Sequence, residues 1–280
     1  MSIYQPNFFD EAERLAKLTK LKYPLEALKQ HIEFEIFRPQ LEAVFNKDQK
    51  SAAGRKAYDV VLMFKILILQ RLYNLSDEQA EFQINDRQSV QRFLGIHLGS
   101  TVPDFSTVWL FCEALTVAEV IKPVFDTYGA ILEKQGVVTK ADTIVDASFV
   151  EVPRQRNTRE ENELVKQGQL PPEWENQPHK LSQKDLDARW TKKNHETFYG
   201  YKNHIWADAE SAIITDYTVT DATVHDSQAL PELIGPDNKG QNLFADSAYK
   251  SAKTDEKLAE LSITSYVHEK GRRNRPMNDL

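Results

Sequence analysis

Through the first half of the chain, apolar residues recur three and four positions apart. The stretches "AERLAKL", "PLEALKQHIEFEIFRPQLEAVF" and "YDVVLMFKILILQRLYNL" carry that spacing, which places the apolar positions on one face of a helix. Ser76 with Gln79 three residues later predicts a capping box opening "SDEQAEFQIN". "PDFSTVWLFCEAL" sets turn formers ahead of another apolar helix, with Ser106 as its expected cap. Short helices joined by polar turns at 74–76, 85–88 and 95–104 fit a helical nucleic-acid-binding head. They fit equally a helical packing domain with no ligand.

Near residue 137 the period changes. "DTIVDASFVEV", residues 142–152, reads as a strand, followed by a polar segment over about 153–197. Further strands are expected at "YGYKNHIWAD", "AIITDYTVT", "QNLFADSAY" and "ITSYVHEK", with helices at "SQALPELI" and "SAKTDEKLAEL". Strands followed by alternating helix and strand predict an α/β sheet with an antiparallel edge. The expected division is therefore a helical domain over 1–135 and an α/β domain over 136–280. A polar segment as long as 153–197 is expected to be functional or mobile.

Composition narrows the classes. With 280 residues and 41% hydrophobic content the chain can bury a sizeable core. Lys and Arg total 35 against 42 Asp and Glu, a net charge of −7, which argues against a globally basic nucleic-acid binder but leaves local clusters open. One cysteine, Cys112, excludes an internal disulfide and suits a reducing cytoplasm; in "WLFCEAL" it reads as a buried thiol. The N-terminus lacks the basic start and apolar core of a signal peptide. The apolar run "VVLMFKILIL" is about half the ~20 residues a membrane span needs and contains Lys65, so a soluble protein is expected, with no membrane partner.

The chemistry starts from a misplaced acid. Asp146 sits in mid-strand between Val145 and Ala147, where Asp is depleted. A second acid, Asp246, ends the apolar run Leu243 to Ala245, at the carboxyl end of a strand, where sites gather in open α/β sheets. If the two strands pair, the carboxylates face each other across one gap and cannot both stay ionised without a cation. A hard divalent ion such as Mg²⁺ resolves the conflict, and paired ions of that kind serve in-line phosphodiester cleavage. The plainer alternative pairs Asp146 with a neighbouring Lys or Arg and uses Asp246 to cap the turn that follows.

Longer motifs carry a resemblance. "TIVDASFVEVPRQRNTREEN", "QKDLDARWTKKNHETFYGYKNHIWAD", "VTDATVHDSQALPELI" and "LFADSAYKS" resemble the catalytic domain of bacterial insertion-sequence transposases of the IS5 group, within the IS4/IS5 superfamily. "GRKAYDVVLMFKILILQRLYNLSDEQAEFQI", "FLGI" and "PDFSTVWLF" are similar to that family's N-terminal domain. The resemblance implies a ribonuclease-H-like mixed sheet behind an all-α domain that binds DNA ends. It also implies an Asp-Asp-Glu triad on two Mg²⁺ ions, with Mn²⁺ as a substitute. Asp146 matches the first acid and Asp246 the second. The implied activity is metal-dependent strand cleavage and transfer. Its partners would be double-stranded DNA, as terminal inverted repeats and target, and a second copy of the chain. The implied place is the bacterial cytoplasm, on the nucleoid.

The family's third acid is a Glu on a helix after the fifth strand, in a Tyr…Arg…Glu pattern. The sequence closes on "HEKGRRNRPMNDL" without it, and Glu256, Glu260 and Glu269 do not fit the matched position. The resemblance therefore implies a catalytic domain lacking its last helix. An inactive DNA-binding form, acting as regulator or inhibitor, is the alternative function.

The run "RWTKKNHETFYGYKNH" sets Arg189, Lys192, Lys193, Lys202 and His204 beside Trp190, Phe198, Tyr199 and Tyr201. Cations tracking phosphates beside aromatic faces suit strand handling, so Arg189, Trp190, Lys192, Lys193 and Lys202 are candidate DNA contacts; the bland alternative packs the rings in the core. Arg154, Arg156 and Arg159 form a second cluster. Arg272, Arg273 and Arg275 near the end could grip phosphates. In "VHDS", Asp226 is the expected helix cap, with His225 orienting a phosphate or water as the sharper reading. His31 and His97 read as structural.

Overall fold

Asp59 opens the most apolar helix of the first half by accepting hydrogen bonds from the Val61 and Leu62 amides. Asn74 closes it in the left-handed conformation, φ 50°, which Asn tolerates. Between them Val60–Tyr73 buries Val61, Met63, Phe64, Ile66 and Leu69. The computed structural model describes residues 16–17, 20, 24–45, 57–97, 100–152, 156–193 and 195–268. The chain forms two compact units, Met1–Tyr128 and Gly129–Leu280.

In the first unit, helices Pro24–His31, Arg38–Phe45, Asp77–Asp86, Gln88–Leu94 and Phe105–Val117 pack with Val60–Tyr73 around Leu25, Leu41, Ile66, Ile84, Val108 and Leu115. The capping box at Ser76 and Gln79 is present in both directions. Two local expectations change. The periodic stretch 24–45 is not one helix: a 3-10 turn at Phe34–Phe37 interrupts it. Phe34 packs on Phe93 and Phe37 on Phe64, both edge-on. The cap of Phe105–Val117 is Asp104, not Ser106. Its carboxylate takes the Thr107 amide at 2.7 Å and the Ser106 hydroxyl at 2.6 Å, and a full negative charge suits the positive helix end. Cys112 is half-buried rather than enclosed. Among the described residues no helix is long and apolar enough to cross a membrane.

Among the described residues the second unit holds six strands: β1 (Asp142–Glu151), β2 (Arg189–Lys193), β3 (Glu196–Asp208), β4 (Ile214–Asp221), β5 (Asn242–Ala245) and β6 (Thr264–Val267). β3 runs antiparallel to β1, β2 and β4, while β5 is parallel to β1 and β6 parallel to β5. The path β4-β3-β1-β5-β6, with an antiparallel meander first and parallel strands after, is the ribonuclease-H-like arrangement. β2 and β4 lie in succession along the same edge of β3, the first on Glu196–Gly200 and the second on Tyr201–Ala207. Gly200 stands at the junction with φ +151°, and a Cβ there would overlap the Val150 carbonyl oxygen.

Alternation gives the sheet two faces. Val145, Trp206, Leu243 and Ala245 point to one, where Leu230, Leu233 and Leu258 from helices Asp226–Leu233 and Ala252–Glu260 cover them. On the other face Ile144, Val150, Phe244 and Tyr266 are exposed. Asp208 ends β3 at 1% exposure. Its carboxylate accepts from the amide and hydroxyl of both Thr139 and Ser211 and from the Lys140 amide. Burial alone would raise its pKa, but these donors outweigh burial and hold it well below the usual carboxylate range.

Much of the polar segment is built, not loose. Thr158 and Glu161 form a second capping box on helix Arg159–Lys166. Trp174, fully buried, donates its indole N–H to Glu161 at 2.9 Å, and the Lys184 ammonium lies 5.2 Å from its ring centroid while pairing with Glu161 at 3.3 Å. Polar residues here satisfy one another, which is why a sequence poor in apolar residues still folds.

Candidate active site

The β1–β5 ladder ends on Val145 opposite Ala245. One step further along each chain come Asp146 and Asp246, so the two acids stand side by side on strands roughly 4.8 Å apart. Asp146 lies on the uncovered face, two residues beyond Ile144, and both acids are exposed. Each uses one oxygen locally. Asp146 Oδ1 accepts the Ala147 amide and Asp246 Oδ1 the Ala248 amide, both at 2.8 Å. Asp246 does cap the turn Ser247–Tyr249, as the plainer alternative held. Among the described residues, however, neither acid is in an ion pair, so no described cation explains Asp146. Adjacent carboxylates with free oxygens are a donor set that fits a hard divalent ion. Among the described residues no third His, Cys, Asp or Glu joins them. Glu256 and Glu260 are exposed on helix Ala252–Glu260, and Glu269 lies outside the described residues.

Under this pair, on the covered face, is a layer of buried polar groups. Register sets His204 opposite Ala147 and Lys202 opposite Phe149. The Lys202 ammonium reaches Asp226 at 2.9 Å and the Val224 carbonyl at 2.6 Å, with both side chains of the pair only 12% exposed. His204 is fully buried between the Tyr249 hydroxyl at 3.4 Å and Thr220 Oγ1 at 3.1 Å, and burial lowers its pKa, so it is neutral. Burial, then the charges of Asp226, Asp146 and Asp246, push the Tyr249 phenol up. The cap of helix Asp226–Leu233 is His225, whose Nδ1 accepts the Ser227 amide. Asp226, the expected cap, instead turns inward to Lys202. The sequence pointed to Asp146 and Asp246 but not to this layer; acids and bases buried by partners far along the chain have no local signal.

The chain matches two family models, a transposase domain (DUF772) over residues 13–114 and a transposase DDE domain over residues 139–278. It belongs to the DDE transposase family. The match covers both units, and Asp146 and Asp246 fall within the DDE segment. A solved piggyBac transposase synaptic complex with hairpin DNA is similar at 11% identity and a TM-score of 0.40, over 87% of this chain and 51% of that one. The chain thus spans about half the length of that solved transposase.

In this DDE transposase the basic-aromatic run is divided between packing and surface. Arg189 donates to the Leu186 and Ala188 carbonyls. Trp190 donates its indole N–H to the Asn157 carbonyl and packs on Tyr199, whose ring is buried. Lys202 is committed to Asp226. Lys192 and Lys193 are exposed on edge strand β2, with the Lys193 ammonium 5.7 Å from the centroid of the Phe149 ring, itself stacked on Phe198. The run therefore does not converge on one surface. Arg156 pairs with Glu151; Arg154, Arg272, Arg273 and Arg275 lie outside the described residues. His31 and His97 are exposed.

Proposed function

We propose that this DDE transposase cleaves and joins DNA strands at the ends of an insertion sequence of the IS5 group, using divalent ions held by Asp146 and Asp246. The observation that carries the reading is the ladder register, which ends on Val145–Ala245 one residue before each acid. Mg²⁺, or Mn²⁺ in its place, would be bound through the free carboxylate oxygens, and bound there it would supply charge neutralisation at the attacked phosphate and activation of the attacking oxygen. The protein's part is placement: β1 fixes one acid, the β5 end and its capped turn fix the other. Lys192 and Lys193 on the β2 edge are the proposed phosphate contacts for double-stranded DNA, both the terminal inverted repeats and the target.

The test is strand nicking of terminal inverted-repeat DNA with Mg²⁺. Asp146→Ala and Asp246→Ala are each expected to abolish nicking by the native chain; nicking that persists in either variant would overturn the assignment. One observation favours a second reading. Since no third acid joins the pair among the described residues, a chain that grips transposon ends without cutting them is the alternative. Repeat-specific binding in a gel shift, with no nicking by the native chain, would select it.

A further inference from the structure

Tyr249 is buried to 1% exposure, three residues after Asp246, on the turn that Asp246 caps. Its amide donates to the Asp246 carbonyl at 3.2 Å. A Phe would fill the same apolar space among Val145, Leu230 and Leu243, so the hydroxyl needs its own explanation, because burying an unbonded hydroxyl is unfavourable. The hydrogen bonds around it run in one direction. Thr220 donates its hydroxyl to the Asp221 carbonyl at 3.2 Å, so its oxygen is left to accept from His204 Nε2–H at 3.1 Å. A neutral imidazole carrying its proton on Nε2 has a bare Nδ1, and Tyr249 donates to that atom at 3.4 Å. Phenol, imidazole and hydroxyl thus link the turn after β5 to β3 and then to the backbone of β4.

We propose that Tyr249 is a positioning residue for Asp246: anchored through His204 and Thr220 to β4, it fixes the turn from which the second acid projects and so sets that carboxylate beside Asp146. This rests on the reading that the two acids share a divalent ion. An exposed carboxylate at a strand end, held otherwise by a single amide, has little else to define its position. The anchor lies on the covered face, so it can fix the acid without entering the space where substrate would sit. Groups that support metal ligands from behind typically change affinity 10–100-fold when removed.

The experiment is calorimetric titration of the full chain with MgCl₂, repeated as Mn²⁺ titration read by electron paramagnetic resonance. Tyr249→Phe is expected to weaken ion binding about 10-fold and to broaden the Mn²⁺ signal, while thermal unfolding still reports a cooperative fold. Thr220→Val, at the far end of the chain of bonds, is expected to shift affinity in the same direction by less, and it serves if Tyr249→Phe does not fold. Asp208→Asn is the stability control: it loosens the same sheet yet should bind Mg²⁺ as the native chain does. Native affinity in both Tyr249→Phe and Thr220→Val would overturn the proposal, as would an equal loss in Asp208→Asn. If instead Asp146→Ala and Asp246→Ala bind Mg²⁺ as tightly as the native chain, or the native chain binds none, it is the acid-pair reading that falls, and this inference with it.

Discussion

Replacing Lys202 by Met would leave Asp226 in a site where both side chains are 12% exposed, with its only ion-pair partner among the described residues gone. At 2.9 Å and an effective dielectric of about 20, the pair attracts by roughly 6 kcal/mol, most of it offset by the loss of hydration of two charges. What remains on truncating one partner is the unpaired buried charge, about 3–5 kcal/mol. The Val224 carbonyl also loses its donor, which keeps Lys202→Met at the upper end. Replacing both groups removes the unpaired charge, so Lys202→Met with Asp226→Leu should lie within about 2 kcal/mol of the native chain. The implied coupling is at least ~2 kcal/mol, far above the ~0.5 kcal/mol scatter of independent sites. Urea unfolding followed by tryptophan fluorescence reads this unit, because Trp174 and Trp206 are buried in it while Trp109 of the helical unit is 53% exposed. Additive effects in the double variant would refute the claim that this ion pair, and not packing alone, holds the layer under the acids.

Other outcomes follow from the same geometry. Asp208→Asn should cost about 2–4 kcal/mol at neutral pH, since an amide sets its own N–H groups against the Ser211 donors. The folded pKa of Asp208 is depressed, so its stabilisation is complete above the unfolded value near 4 and is lost as pH falls from there. Melting temperatures of native and variant chains should therefore converge in acid, and a gap that stays constant down to about pH 2 would contradict this. Gly200→Ala should prevent β1, β2 and β3 from meeting, seen as loss of soluble, cooperatively folding protein; a variant as stable as the native chain would show that the junction relaxes. Lys192→Ala with Lys193→Ala should weaken duplex binding about equally for all sequences and reduce the salt slope by ~1–2, and an unchanged slope would remove β2 from the interface.

What could be read from residue order was whatever depends on near neighbours or on period. Ser76 and Gln79 announced their helix because a capping box spans four residues. The strand holding Asp146 showed itself by β-branched residues, and Asp246 by its place after Leu243–Ala245. β2 did not, since "RWTKK" gains strand character only from its pairing with "ETFYG". His225 displaced Asp226 as a cap because Asp226 had a better partner on β3, a choice made in three dimensions. The folded part of the polar segment escaped notice for the same reason: Trp174, Glu161 and Lys184 are unremarkable apart and a small core together.

The rungs joining β1 to β5 connect positions one hundred residues apart, as the Asn242 side chain on Asp142 shows. During synthesis, then, Asp146 emerges early and waits while the meander, the built segment and helix Asp226–Leu233 leave the ribosome. At roughly 5–20 residues per second this interval lasts on the order of 5–20 s. A half-made chain has one acid and no pair, so an ion site built on both carboxylates, as proposed above, can form only when β5 docks.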